Sequence, residues 1–201
     1  MALIKLNNRG VKDATAFGSI SSLGSLTLIQ KQTASSSAYI DFTSGIDSTY
    51  KEYIFYFINC HPQSDTQRLT FQSDTGTNTN YNQTITSSTI STYNYENDSD
   101  RSLSYDTGDD LAQSTSFQPL CNTVGNDADQ SASGFLHVFN PSSSVFVKHW
   151  MCRFVINHNE DLISSRQNAG YFNTTTALTR FRFKFASGNI DSGDILLFGL
   201  N

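Results

Sequence analysis

Thr179-Arg-Phe-Arg-Phe-Lys-Phe-Ala-Ser-Gly-Asn-Ile-Asp-Ser-Gly-Asp-Ile-Leu-Leu-Phe-Gly-Leu-Asn201 is the stretch whose reading decides the fold class. Phe181, Phe183 and Phe185 alternate with Arg180, Arg182 and Lys184, the period of a strand with one buried and one wet face. Ser187-Gly188-Asn189 interrupts the run, and Gly188 and Asn189 both tolerate positive φ. Asp194-Ile-Leu-Leu-Phe-Gly-Leu200 then resumes, apolar at nearly every position, as in a strand covered on both sides. This predicts core positions for Phe183 and Phe198. It predicts a wet position for Arg182, whose truncation should cost under ~1 kcal/mol.

The same texture extends backwards. Tyr50-Lys-Glu-Tyr-Ile-Phe-Tyr-Phe-Ile-Asn59 is the most β-prone run, with Tyr53, Phe55 and Phe57 on one side and Ile54, Tyr56 and Ile58 on the other. Exposed at an edge it would invite aggregation, so a central strand is expected, ending at His61-Pro62. Leu26, Leu28 and Gln30, Ala38–Phe42 and Thr66–Gln72 continue the pattern. Gly134–Asn140 and Val145–Ile156 read as a hairpin around Pro141 and Ser142–Ser144. Together with Tyr171-Phe172, these make about eight to ten strands spaced as in a sandwich, with no need for a helix. Residues 77–132 are mostly Ser, Thr, Asn, Asp and Tyr. They read as an elaborated loop region with weak strands near Tyr81–Ile85 and Ser102–Tyr105, and a flexible tip at Asn97–Asp100. The expected fold is all-β: a single antiparallel β-sandwich over 23–201, jelly-roll-like, preceded by an extended N-terminal arm over 1–22.

Composition supports this. The 201 residues include 15 Phe and 9 Tyr but only 2 Met, and charged residues make up 15%, below the usual quarter. The net charge of −5, with basic residues clustered only at Arg180, Arg182 and Lys184, makes nucleic acid an unexpected partner. No run approaches ~20 apolar residues and none at the start suits a signal peptide, so a soluble protein made in the cytoplasm is expected, with no membrane partner. Three cysteines are an odd count, which argues against a disulfide framework.

Several constellations invite chemistry. Cys60-His61 and His149 with Cys152 suggest zinc, but on a strand, positions three apart face opposite sides, so free buried thiols and no metal are expected. Asp106–Asp110 and Asn126–Asp129 are oxygen-rich loops without the complete spacing of a calcium loop, and they read as solvated turns. No catalytic motif is present: no Gly-x-Ser-x-Gly, no phosphate-cradling glycine loop, no His-Glu-x-x-His. No catalytic residue and no cofactor are expected. Tyr81, Tyr93, Tyr95 and Tyr105 sit among polar residues, where tyrosines either cap a core or hold a glycan. Three glycosylation sequons, at Asn82, Asn97 and Asn173, read as chance in so Ser/Thr-rich a chain. In the arm, Leu3, Ile4, Leu6 and Phe17 are too sparse for a core, yet each can fill a partner's pocket. The alternative is a frayed terminus or first strand.

Three stretches carry a resemblance. They are Met1-Ala-Leu-Ile-Lys-Leu-Asn-Asn8, Ser133-Gly-Phe-Leu-His-Val-Phe-Asn-Pro141 and Ala186–Leu200, which closes on Phe198-Gly199-Leu200. They resemble small structural proteins of tailed bacteriophages, notably phages of marine bacteria, which end on a glycine-punctuated strand with a closing aromatic-Gly-aliphatic. The match covers both ends and the second half, and residues 77–132 lie outside it. The resemblance implies a virion component, a head-decoration, fibre or knob protein. It would dock through its arm on a capsid or tail protein and be displayed on the virion surface as a homo-oligomer such as a trimer. A glycan-binding module reading the host surface is the alternative, and a depolymerase comes third.

Overall fold

The computed structural model describes residues Leu26–Leu200. The arm and its anchors Leu3, Ile4, Leu6 and Phe17 lie outside them. Twelve strands run in chain order: β1 (Thr27–Ser37), β2 (Ile40–Phe42), β3 (Glu52–Pro62), β4 (Leu69–Thr75), β5 (Ile85–Tyr95), β6 (Arg101–Tyr105), β7 (Gln118–Pro119), β8 (Ala132–Phe139), β9 (Lys148–His158), β10 (Leu162–Phe172), β11 (Leu178–Phe185) and β12 (Ile190–Leu200). They form two antiparallel sheets, ordered β1-β12-β3-β8-β9-β10-β5-β6 and β2-β11-β4-β7. Setting aside β5, β6, β9 and β10 leaves two four-stranded sheets between which the chain alternates, crossing at β1→β2→β3→β4 and again at β7→β8 and β11→β12. That is jelly-roll topology, two interlocked Greek keys. The four strands set aside widen the larger sheet past β8; Trp150 on β9 and Phe172 on β10 still reach the smaller sheet through Phe71 and Phe181.

The two halves of the interior differ accordingly. Between the jelly-roll sheets the core is aromatic. Phe183 on β11 meets Phe55 and Phe57 on β3, each with ring centroids 5.0 Å away, and Phe71 on β4 meets Trp150 on β9 at 5.1 Å. The alternation of β11 and of β3 is therefore as the sequence predicts, and β3 is an interior strand flanked by β12 and β8. Gly188 holds φ +72° in the β11–β12 turn, a conformation that a Cβ disfavours. Gly199 lets the Tyr50 ring lie against the backbone, because a Cβ there would stand 2.3 Å from a ring carbon.

Under β10 and β5 the interior is polar. Residues 106–124 run across it as irregular chain and present backbone carbonyls to the inward side chains. On the far face of the smaller sheet the same kind of pairing buries Gln72, whose Nε2 donates to the carbonyls of Gln83, Thr115 and Ser116, at 2.9, 3.2 and 3.1 Å. Gln118 Nε2 donates to Asp109 O at 2.8 Å while its Oε1 accepts from Ser87 Oγ at 2.6 Å. Asn168 Nδ2 donates to Pro119 O and Leu120 O. Buried polar groups are tolerated when paired in this way.

Four expectations need correction. Among the described residues the strands number twelve, because β10 and all but the start of β5 were hidden in polar sequence; the strand expected near Ser102–Tyr105 is β6, and the one expected near Tyr81–Ile85 is the longer β5. Asn97–Asp100 is the β5–β6 turn, and Tyr81 precedes β5 instead of opening it. The closing strand β12 is not covered equally on both faces: Ile195 and Leu197 are buried, whereas Leu196, Phe198 and Leu200 point outward and are half-buried, Phe198 resting edge-on against Tyr56 at 5.6 Å. Arg182 is not simply wet. Its guanidinium is bidentate to Asp41, at 2.7 Å for both bonds, and sits between the Tyr39 and Tyr81 rings at 3.9 and 4.1 Å.

Candidate functional site

The four candidate tyrosines separate. Tyr81 is buried beneath Arg182 on the smaller sheet, so it packs rather than binds. Tyr105 on β6 pairs with Ile90 on β5 and faces outward from the larger sheet, its hydroxyl donating to Asp110 at 2.6 Å. Tyr93 and Tyr95 lie two apart on β5 and therefore share its inward face. Their rings meet edge to face with centroids 5.9 Å apart.

These two rings wall a cavity of about 340 Å³ at the end of the widened sheet. Its other walls are Ser91, Ser104, Asp106, Asn122, His158, Glu160, Leu162 and Ser164, drawn from β5, β6, β9, β10 and three connecting segments. Backbone bonds tie the parts together, with Glu96 N–H donating to Asp161 O at 3.0 Å and Asp106 N–H to Thr89 O at 3.0 Å. Tyr93 OH donates to Asp100 at 2.8 Å and Tyr95 OH to Glu160 at 3.0 Å, so the ring orientations are fixed by bonds at their hydroxyl ends. The bond to its acidic partner is also what raises each phenol above its ordinary range.

His158 takes a defined tautomer. The Glu160 backbone N–H donates to its Nδ1 at 3.2 Å, which leaves the proton on Nε2. Removal from water holds its titration below the ordinary histidine value; Glu160 and Asp65 pull the other way, and Arg166 adds to the depression. Asn122 Oδ1 is buried without a hydrogen-bond partner among the described residues.

Below the cavity lies a fully buried charge. Arg166 on β10 is fully buried and donates through Nη1 to Asp109 and through Nη2 to Asp106. Arg68 Nε approaches the other Asp109 oxygen at 3.3 Å, an ion pair without hydrogen-bond alignment. The Asp106–Asp110 loop is thus no solvated turn: Arg166 and Tyr105 engage its three carboxylates, and this corrects its sequence-based reading. Of the cavity's two carboxylates, Asp106 is held by Arg166 and Glu160 by the Tyr95 hydroxyl.

A second, larger recess of about 560 Å³ is lined by Asn59, His61, Asn126, Asp129, Gln130 and Asp191 among others, with no aromatic wall. It takes in most of the Asn126–Asp129 loop. Among the described residues, no three His, Cys, Asp or Glu side chains group as a metal site requires. His149 is exposed and Cys152 buried on opposite faces of β9. Cys60, Cys121 and Cys152 are buried and unpaired, and burial pushes all three thiols up, Cys121 to about 12. The folded protein is expected to react with no equivalent of Ellman's reagent on the minute timescale, and with three after denaturation. Rapid reaction of the native protein would show that a thiol is accessible.

Sequence reading missed His158, Glu160 and Asn122, and took Asp106 only as part of an oxygen-rich turn. The signal available for the first two was the turn-rich His158-Asn-Glu-Asp161 between two strands. No protein-family model, curated protein or solved structure matches the chain.

Proposed function

We propose that this chain is a non-enzymatic structural component of a tailed-phage particle, displayed on its surface as a homo-oligomer and attached through the arm over 1–22. The resemblance of both ends and of the β8 region to phage structural proteins motivates the reading. Jelly rolls serve both as capsid and as lectin domains, so the topology alone does not choose.

The observation that carries the proposal is the outer face of the larger sheet. Strand register places Leu28, Ile58, Phe139, Met151, Val155, Ile163, Ile90 and Leu103 on that one face, and each is more than a third exposed. Phe198, Tyr56 and Phe135 fill in between them. Arg153 and Gln167 stand among them on the same face, and exposed apolar groups of this size on a monomer mark interaction surfaces. Eight strands spaced ~4.8 Å apart, over about eight residues of ~3.3 Å rise, span roughly 1,000 Å² against ~800 Å² per partner in a standard interface. A second copy of the chain can therefore be seated there.

The test is solution mass. The wild-type chain should scatter light as a discrete oligomer of its 22.3 kDa protomer. The double variant Val155→Asp, Ile163→Asp should run as a monomer with an unchanged β circular-dichroism spectrum and should fail to enter particles. A monomeric wild type, or an unshifted variant that still incorporates, would overturn the reading.

A further inference from the structure

We propose that the cavity walled by Tyr93 and Tyr95 is a binding site for a neutral saccharide. The site is independent of the assembly reading, since it opens between the β5–β6 hairpin and the β9–β10 turn and draws on the inward face of β5, the opposite side from the apolar one.

Three features converge on this ligand class. The first is the pair of aromatic walls. With the tyrosine hydroxyls committed to Asp100 and Glu160, the rings contribute rigid carbon surface, which suits the C–H face of a sugar ring. The second is the set of polar groups around them. His158 offers an Nε2 proton, because its Nδ1 is occupied by the Glu160 N–H. Asn122 Oδ1 is an acceptor with no hydrogen-bond partner among the described residues, and leaving a buried acceptor bare is unfavourable. Ser91, Ser104 and Ser164 add hydroxyls that can donate or accept. A ligand that both donates and accepts at several points around a compact ring answers all of these, and that describes a polyol.

The third is charge. Both charged side chains facing the cavity are carboxylates, Asp106 and Glu160, and no lysine or arginine lines it. Arg166 lies beneath, with its Nη atoms committed to Asp106 and Asp109. Sialic acids, uronic acids and phosphorylated ligands are therefore disfavoured. A quaternary amine could also use rings beside carboxylates, but it would leave Asn122 Oδ1 and the His158 donor position unanswered. The volume of about 340 Å³ lies at the low end of ligand cavities, suited to one or two sugar rings and not to a long chain.

The full-length protein should be applied to an array of neutral hexose- and N-acetylhexosamine-terminated glycans alongside sialylated ones, with choline titrated separately by calorimetry. Retention on a subset of neutral glycans only is expected. Tyr95→Ala should weaken it roughly tenfold or more, whereas Tyr95→Phe, which keeps the ring, should stay within about threefold. Glu160→Gln serves as a second probe and should also weaken it while leaving the thermal midpoint unchanged. No retention of any neutral glycan, preference for sialylated ones, binding of choline alone, or equal retention by Tyr95→Ala would each overturn the site. Particle incorporation of Tyr95→Ala is expected to be normal, so failure here is distinguishable from failure of the assembly proposal.

Discussion

Arg166→Ala is expected to destabilise the protein by ~3–5 kcal/mol, because removing one partner of a buried ion pair strands the other's charge in low dielectric. Arg166 is fully buried and bonded to two carboxylates, of which Asp109 is itself 2% exposed. Arg68 is about half-exposed and too poorly aligned with Asp109 to take over. The damage extends beyond the ion pair. Asp109 O also accepts from Gln118 and Thr89, so a shift of this residue loosens the chain segment that covers β5 and β10. Urea unfolding at pH 7 checks the magnitude. A loss below ~1 kcal/mol at pH 7 would show that the carboxylates reach solvent.

Phe183→Ala should cost a similar ~3–5 kcal/mol through a different mechanism. Phe183 is fully buried and its ring stands within 5.0–6.4 Å, centroid to centroid, of Phe42, Phe55, Phe57 and Phe71. Those rings belong to strands of both sheets, so the cavity left behind cannot close by moving one side chain. The informative controls are its neighbours. Phe198→Ala, on the outward face of β12, should cost only ~1–2 kcal/mol in the monomer. Arg182→Ala should cost ~1.5–3 kcal/mol, since it removes a bidentate carboxylate pair and two ring contacts at once. Equal costs for Phe183 and Phe198 would mean that the outward face of β12 is as well packed as the core between the two sheets.

Much of the jelly roll could be read directly from the chain. The strict alternation of Arg180–Phe185 reports one dry and one wet face, the unbroken apolar run Tyr53–Ile58 reports an interior strand, and His61-Pro62 and Ser187–Asn189 end their strands by removing a donor or admitting positive φ. β10 was different. Leu162-Ile-Ser-Ser-Arg-Gln-Asn-Ala-Gly-Tyr-Phe172 turns Ser164, Arg166 and Asn168 inward and Ile163 outward, the reverse of the usual pattern, and β5 likewise buries Thr89 while exposing Ile90. The candidate site was legible only in part: Tyr93 and Tyr95 share a face by their spacing, but nothing local separates them from Tyr81 and Tyr105.

The sequence by itself determined the strand-forming period, the turns and the aromatic half of the core, because these depend on contrasts between neighbouring residues. Tertiary structure alone decided where polar side chains could be buried, which tyrosines meet, and that His158, Glu160 and Asn122 close a cavity around them. Arg166 finds Asp106 and Asp109 some sixty positions away, and Asn168 finds carbonyls of the segment laid across it. The physical reason is that hydrophobic burial needs only the absence of water, which any apolar neighbour provides. A buried hydrogen bond or ion pair needs one particular partner at one distance and angle, and only the folded chain supplies it.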